Sequence, residues 1–185
     1  PDGHGAACST AGWRANHPLG RRCRALVAGE WSAAGTFARW ARAIGLVSAV
    51  FEINTFGVAL LGKHLIPCLP RKGRSVFASL SARVGSISDN RLGGWYSYRA
   101  SKAAQNMMIK TMSIEANRKW KELICVALHP GTVQTQLSDP FTKNYDPQKL
   151  FTPQQSCDYL CDVITDLTFK DTGGFFAWDG QTIEF

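Results

Sequence analysis

Apolar residues recur at helical spacing from Val47 to Ile66 (Val50, Phe51, Ile53, Phe56, Leu60, Leu61, Leu65), and Pro67 and Pro70 stop the pattern; this predicts a long helix. Arg74 to Leu80 is short and apolar at its centre and is followed by Gly85, the signature of a buried strand and its loop. Residues 86–97 are polar and carry glycines, so they read as a loop. A second long helix is predicted from Tyr98 to Trp120, with Ala103, Met107, Thr111 and Ile114 along one face. Leu123 to Leu128 is a continuous apolar strand ending at His129-Pro130-Gly131. A third helix follows from about Pro153 to Leu167 with Thr152 as its N-cap, and Gly174 to Trp178 closes as a short strand. Helices alternating with strands predict parallel strands joined by crossover helices, an α/β layered fold.

Residues 1–45 follow different rules. They hold eleven alanines, six arginines and three tryptophans but none of the nine lysines, and only Trp31 to Ile44 has modest helical periodicity. The domain is therefore expected to run from 46 to 185, behind an atypical leader that is a loop-rich cap, a targeting peptide or sequence foreign to the fold. The 185-residue chain as a whole has one domain's worth of length and a globular composition.

The greasiest stretch, Ile44 to Leu61, is interrupted by Glu52 and Asn54, which argues against a membrane span of roughly 18 or more apolar residues. A soluble chain is expected. The six cysteines are scattered rather than arranged as a framework, and a reducing, cytoplasmic setting fits them best. Cys157 and Cys161 share a helical face but lack further ligands at metal spacing, so no metal is expected. The net charge of +7 raises the question of nucleic acid, yet the longest basic cluster is Arg21, Arg22 and Arg24, with no interleaved aromatics. No nucleic-acid partner is expected.

Parallel sheets place their working groups at the carboxyl ends of strands, so the loops after Leu80 and Leu128 should face one crevice. Tyr98 and Lys102, four apart, share a helical face there, and an ammonium near a phenol is expected to lower its pKa, giving a general acid near neutral pH. The spacing alone is weak evidence. Its setting is stronger: Tyr98-Arg-Ala-Ser-Lys102, preceded by a strand ending in serine and followed by one ending in Pro130-Gly131, resembles the short-chain dehydrogenase/reductase family. Ser81-Ala-Arg-Val-Gly-Ser-Ile-Ser-Asp-Asn90 and Gly93-Gly-Trp-Tyr-Ser-Tyr98 look like its C-factor and sniffer-type carbonyl reductase branch.

The resemblance covers roughly residues 46–185 and implies a partial Rossmann-like three-layer αβα fold, the carboxyl-terminal portion of such an enzyme. It implies that Tyr98 moves the proton at a carbonyl or carbinol oxygen, that Lys102 holds the nicotinamide ribose and tunes Tyr98, and that Asn54 supports a proton relay. The family's Ser-Ser-x-x-Gly appears here as Ser81-Ala82-Arg83-Val84-Gly85, with alanine at the catalytic position. Ser81 is the expected substitute, turned inward by a one-residue bulge, with Ser86 as the other hydroxyl available. Pro130, Gly131, Thr132 and Thr135 resemble the segment beside nicotinamide and pyrophosphate. His129 is expected to be structural.

The cofactor implied is NADP or NAD, with NADPH ahead, the substrate a small carbonyl or alcohol compound, and the assembly a homodimer or homotetramer. The 138–152 segment, with Phe141, Tyr145 and Phe151, is expected to face the substrate. No glycine-rich dinucleotide fingerprint is present, and 45 residues are too few for the four strands and three helices that the family places ahead of the Asn54 helix. A wrongly joined or out-of-frame leader would explain this, and two consequences are expected: an exposed edge on the Arg74–Leu80 strand, and a competing reading as a non-enzymatic interaction or signalling protein on the same scaffold.

Overall fold

A computed structural model describes residues 44–135, 138 and 150–185, with side chains from Val47 onward. Nearly all of the leader, and most of the expected substrate-facing segment, lie outside the described residues. The first helix is not uniform. It runs as α1 (Ile44–Phe51), a π-helical turn (Glu52–Phe56) and α2 (Gly57–Leu65), and ends in a 3-10 turn at Ile66–Cys68 where Pro67 removes a backbone donor. Strand β1 (Ser75–Leu80), α3 (Tyr96–Ala116), β2 (Leu123–His129), α4 (Pro153–Asp166) and β5 (Phe175–Ala177) follow, with a short parallel pair β3 (Thr132–Val133) and β4 (Leu150–Phe151) between β2 and α4.

The sheet order is β1-β2-β5, all parallel, with Ser75 opposite Leu123 through to Leu80 opposite Leu128. Alternate residues of β2 feed opposite layers, as strand geometry requires. Ile124, Val126 and Leu128 pack against Leu160 and Val163 of α4 and Leu167 just beyond its end, whereas Ala127 and Phe175 pack against Ile109 of α3. Three layers result, as the alternation of elements predicts. Helix α4 starts with a capping box: Gln155 N donates to Thr152 Oγ1 at 3.2 Å, and Thr152 N donates back to Gln155 Oε1 at 2.9 Å. Its far end is held by Arg74, whose guanidinium donates to the carbonyls of Ile164, Thr165 and Leu167.

Three expectations are corrected. Ala103 is only half-buried, and Met107, Thr111 and Ile114 are exposed; α3 instead buries Ser97, Ser101, Lys102, Gln105, Asn106 and Ser113 beside Ile109 and Ala116. Nearly all of those polar side chains hydrogen-bond across the interface or to the helix backbone, which makes a largely polar buried face affordable to the fold. The second correction concerns the first helix. By length and composition Val47–Cys68 is long and apolar enough to cross a membrane, with 28% of its apolar window buried in this chain, because Glu52 and Asn54 dilute its hydropathy too little to disqualify it. The third is that no bulge interrupts β1, whose register with β2 is continuous through Leu80. Among the described residues β1 is an edge strand, with Leu80 58% exposed.

Candidate active site

The carboxyl ends of β1 and β2 open onto one crevice, and each loop reaches it by a specific device. After β1, a 3-10 turn at Arg83–Gly85 docks on α3, where a Cβ on Gly85 would stand 2.7 Å from the Lys102 Cβ and 2.8 Å from its carbonyl carbon. Only glycine permits that approach. The loop then enters α3 through three consecutive left-handed residues, Gly93 (φ 64°), Gly94 (φ 69°) and Trp95 (φ 49°). For tryptophan this conformation is strained, and the neighbouring helix holds it in place. Arg99 donates to the carbonyls of Gly93 (3.2 Å), Gly94 (3.1 Å) and Val84 (3.2 Å), with its guanidinium 5.6 Å from the Trp95 ring centroid.

One turn of α3 presents Tyr98 and Lys102 together, with Lys102 Nζ 5.9 Å from the Tyr98 ring centroid. The ammonium is buried and donates to Leu80 O at 3.0 Å and Gln105 Oε1 at 2.9 Å. Gln105 Nε2 in turn donates to Ser79 Oγ and Leu80 O, both at 2.8 Å. The end of β1 is thereby tied to the helix by side chains from both partners. Ser81 belongs to the same lattice: it is buried, and its hydroxyl donates to Asn106 Oδ1 at 2.6 Å rather than turning toward the crevice. Ser86 is buried as well and donates to Glu184 O at 2.5 Å.

The π-helical turn brings the preceding helix into register with α3. Thr55 Oγ1 donates to Ser101 O at 2.9 Å and Asn54 Nδ2 to Ser101 Oγ at 3.2 Å, while Ser101 Oγ donates to Tyr98 O at 2.9 Å. Asn54 is thus linked through one hydroxyl to the Tyr98 backbone. The ionisations follow burial. It raises the Tyr98 phenol and lowers the Lys102 ammonium to about 8. The expected drop at Tyr98 does not occur, because its neighbour's charge points to Leu80 O and Gln105 and lies over the ring, so desolvation dominates.

Across the crevice, His129 ends β2 with Nδ1 buried and unpartnered among the described residues, and burial, helped by Arg83, holds its pKa down to about 4. Ser156 of α4 donates to Pro130 O at 2.8 Å. Gly131 has φ 76°, and a Cβ there would stand 2.5 Å from the Phe151 ring and 3.0 Å from that of Trp178. Gly131 and Thr132 line a cavity of about 690 Å³ between the two loops, whose other wall includes Arg83, Arg91, Trp95 and Arg99. Thr135 lies apart and exposed, its N–H donating to Ser138 Oγ at 3.0 Å. The structure thus joins Asn54, Tyr98 and Lys102 through α3, holds Ser81 on Asn106 of the same helix, places Gly131 and Thr132 in the cavity wall, and leaves Thr135 outside. Gln105, Asn106 and the cavity arginines were not singled out from the sequence. The helical spacing of the polar positions 98, 101, 102, 105 and 106 was the available signal.

The comparisons identify the family. The model of the short chain dehydrogenase family matches residues 28–146, reaching 18 residues ahead of the boundary expected at 46, and the chain belongs to that family. C-signal of Myxococcus xanthus is 31% identical over 159 residues, which cover 85% of this chain and 86% of that protein. The 1-hydroxy-2-glutathionyl-2-methyl-3-butene dehydrogenase of Rhodococcus sp. (strain AD45) is 34% identical over 140 residues, covering 76% of this chain and 59% of that one. Among solved structures, the NADPH-bound carbonyl reductase from chicken fatty liver superposes with a TM-score of 0.66 at 30% identity, covering 75% of this chain and 57% of the reductase. The carbonyl reductase Sniffer of D. melanogaster gives 0.61 at 29% identity, covering 73% and 55%. The chain therefore spans most of C-signal and little more than half of the dehydrogenase and the two reductases.

Proposed function

We propose that this chain carries the proton-transfer half of an NAD(P)-dependent oxidoreductase acting on a carbonyl or alcohol group. The observation that carries the reading is the joint placement of Tyr98 and Lys102 on one turn of α3, with Asn54 linked to that turn through Ser101. The dinucleotide would be held at its nicotinamide-ribose end by Lys102, whose ammonium has three donors and uses two, leaving one for a ribose hydroxyl. Pro130, Gly131, Thr132 and Thr135 form the proposed nicotinamide and pyrophosphate segment. When bound, the cofactor supplies or accepts the hydride.

Tyr98 gives its phenolic proton to the carbonyl oxygen in reduction and takes it back in oxidation. Lys102 holds a positive charge beside the phenolate left behind, and Asn54 orders the path that restores the proton. Ser81 keeps its hydroxyl on Asn106, so polarising the carbonyl falls to the Tyr98 O–H. NADPH is proposed ahead of NADH, on the likeness to the NADPH-bound chicken reductase. A second copy is proposed to cover the exposed Phe56, Leu60, Leu61, Met107 and Ile114, and the free Cys68, Cys125, Cys157 and Cys161 support a reducing, cytoplasmic setting.

Calorimetric titration of the full chain with NADPH and then NADH, on a sample whose mass is read by sedimentation, tests the reading. Saturable binding by a paired chain is the expected result. A folded chain that binds neither nucleotide would favour the second reading, a non-enzymatic interaction protein, which Ala82 and the committed Ser81 hydroxyl support.

The Lys102 charge gives a pH signature. Its pKa of about 8 means that the ammonium is lost as pH rises through 8, so kcat/KM is expected to fall about tenfold per unit above that point. Stability should move the other way between pH 8 and 9, because there the unfolded chain binds more protons than the folded one. Above 9 the buried Cys125 thiol, pushed up to about 11, offsets the gain. A pH–rate profile flat to pH 10 would remove Lys102 from the mechanism.

A further inference from the structure

The 690 Å³ cavity has a charge balance that the proton-transfer residues do not explain. Arg83, Arg91 and Arg99 line it, with Asp89 as the only acidic residue in its wall among the described residues. The three arginines are not equivalent. Arg99 is committed to three backbone carbonyls and the Trp95 ring, and so builds the wall. Arg83 meets Asp89 at 3.7 Å with both side chains 46% exposed, a long contact that leaves most of its N–H groups free. Arg91 is exposed and has no hydrogen bond or ion pair among the described residues. Neutral His129 adds no charge of its own. Much of the remaining surface is aromatic, Trp95 on one side with Phe151 and Trp178 packed edge to face at 4.6 Å on the other, and Val84 and Leu92 add apolar surface.

We propose that this cavity takes a small molecule with an aromatic or apolar body and an anionic group, a carboxylate or a phosphate, gripped by Arg91 and Arg83. Two planar guanidinium forks with unused donors match the paired oxygens of either anion, and such charge-assisted bonds are about twice as strong as neutral ones. A concave site of this size, walled by rings, encloses one compact ligand rather than a polymer. The inference stands apart from the reading of the chain as an oxidoreductase, because Asn54, Ser81, Tyr98 and Lys102 are not among the described residues that line the cavity. The anion preference itself belongs to the cavity.

The test is calorimetric binding of 4-formylbenzoate, 4-formylphenyl phosphate and the uncharged methyl 4-formylbenzoate to the full chain without any dinucleotide. At least one anion is expected to bind about tenfold more tightly than the ester, and the tighter of the two identifies the natural group. In Arg91→Ala the preference should shrink to about twofold, with an unchanged melting temperature because Arg91 holds no structural bond. Asp89→Asn should tighten anion binding several-fold by removing a negative charge from the wall beside Arg83. Equal affinity for ester and anions, an Arg91→Ala preference like the parent's, or no binding of any probe would overturn the proposal. If the preference holds while the chain turns over no carbonyl, the oxidoreductase reading fails and the anion site stands.

Discussion

Tyr98→Phe is expected to lower turnover of a carbonyl substrate by about 10²- to 10⁴-fold, the usual contribution of a positioned general acid. The substitution deletes one oxygen and keeps the ring on which Lys102 rests. No hydrogen bond to the Tyr98 hydroxyl is present among the described residues, so the melting temperature should stay where it is. Loss of rate without loss of fold separates a proton donor from a packing residue. Steady-state kinetics beside a thermal melt makes the measurement, and an unchanged kcat would take Tyr98 out of the chemistry. The result does not depend on Ser81: because that hydroxyl is bonded to Asn106, Ser81→Ala belongs with changes in stability of about 1 kcal/mol.

Phe175→Ala is expected to cost about 3–5 kcal/mol, a large share of the roughly 5–15 kcal/mol that keeps a domain folded. Phe175 is fully buried on β5 among Ile109, Ala127, Ala177 and Ile183, so it joins the sheet to α3. Its ring also stacks on Phe185 at 6.1 Å, and Ile183 N–H donates to its carbonyl at 2.7 Å, which ties the chain's last residues to the same point. Urea unfolding should show a lower midpoint in Phe175→Ala and a smaller fall in Phe175→Leu. A loss below about 1 kcal/mol would mean that the three-stranded sheet is not the stability core.

Much of this architecture was legible in the sequence, for local reasons. The continuous apolar run of β2, the Thr152 cap and the stop at Pro67 each depend on residues a few positions apart, and each marks an element in the structure. The four-residue spacing of Tyr98 and Lys102 likewise carried their proximity. What was hidden depends on distant partners. The polar face of α3 is buried because Ser79, Leu80, Ser81 and Gly85 offer matching groups more than 20 positions away, and no periodicity reports that. The π-helical turn was invisible because Glu52–Phe56 carries no proline or glycine to mark it. The direction of the Tyr98 shift was missed because spacing tells distance but not solvent exposure. The cavity arginines lie on either side of the Gly93–Trp95 turn, Arg83 and Arg91 ahead of it and Arg99 in the first turn of α3, so their meeting in space is set by that backbone rather than by any repeat.

The polar contact between α3 and the end of β1 has a consequence for how this family's chemistry tolerates change. An apolar interface resists separation but lets a helix slide, since one methyl group serves much like the next. Here Lys102, Gln105 and Asn106 each find a particular acceptor or donor on the strand and its loop, and a shift of one helical turn would strand all of them at once in a buried place. The helix is keyed to the strand like a toothed rack. Substitutions in the oily layers on either side can then soften the molecule as a whole without altering the offset between Tyr98 and the crevice, so stability and catalytic alignment are free to drift separately.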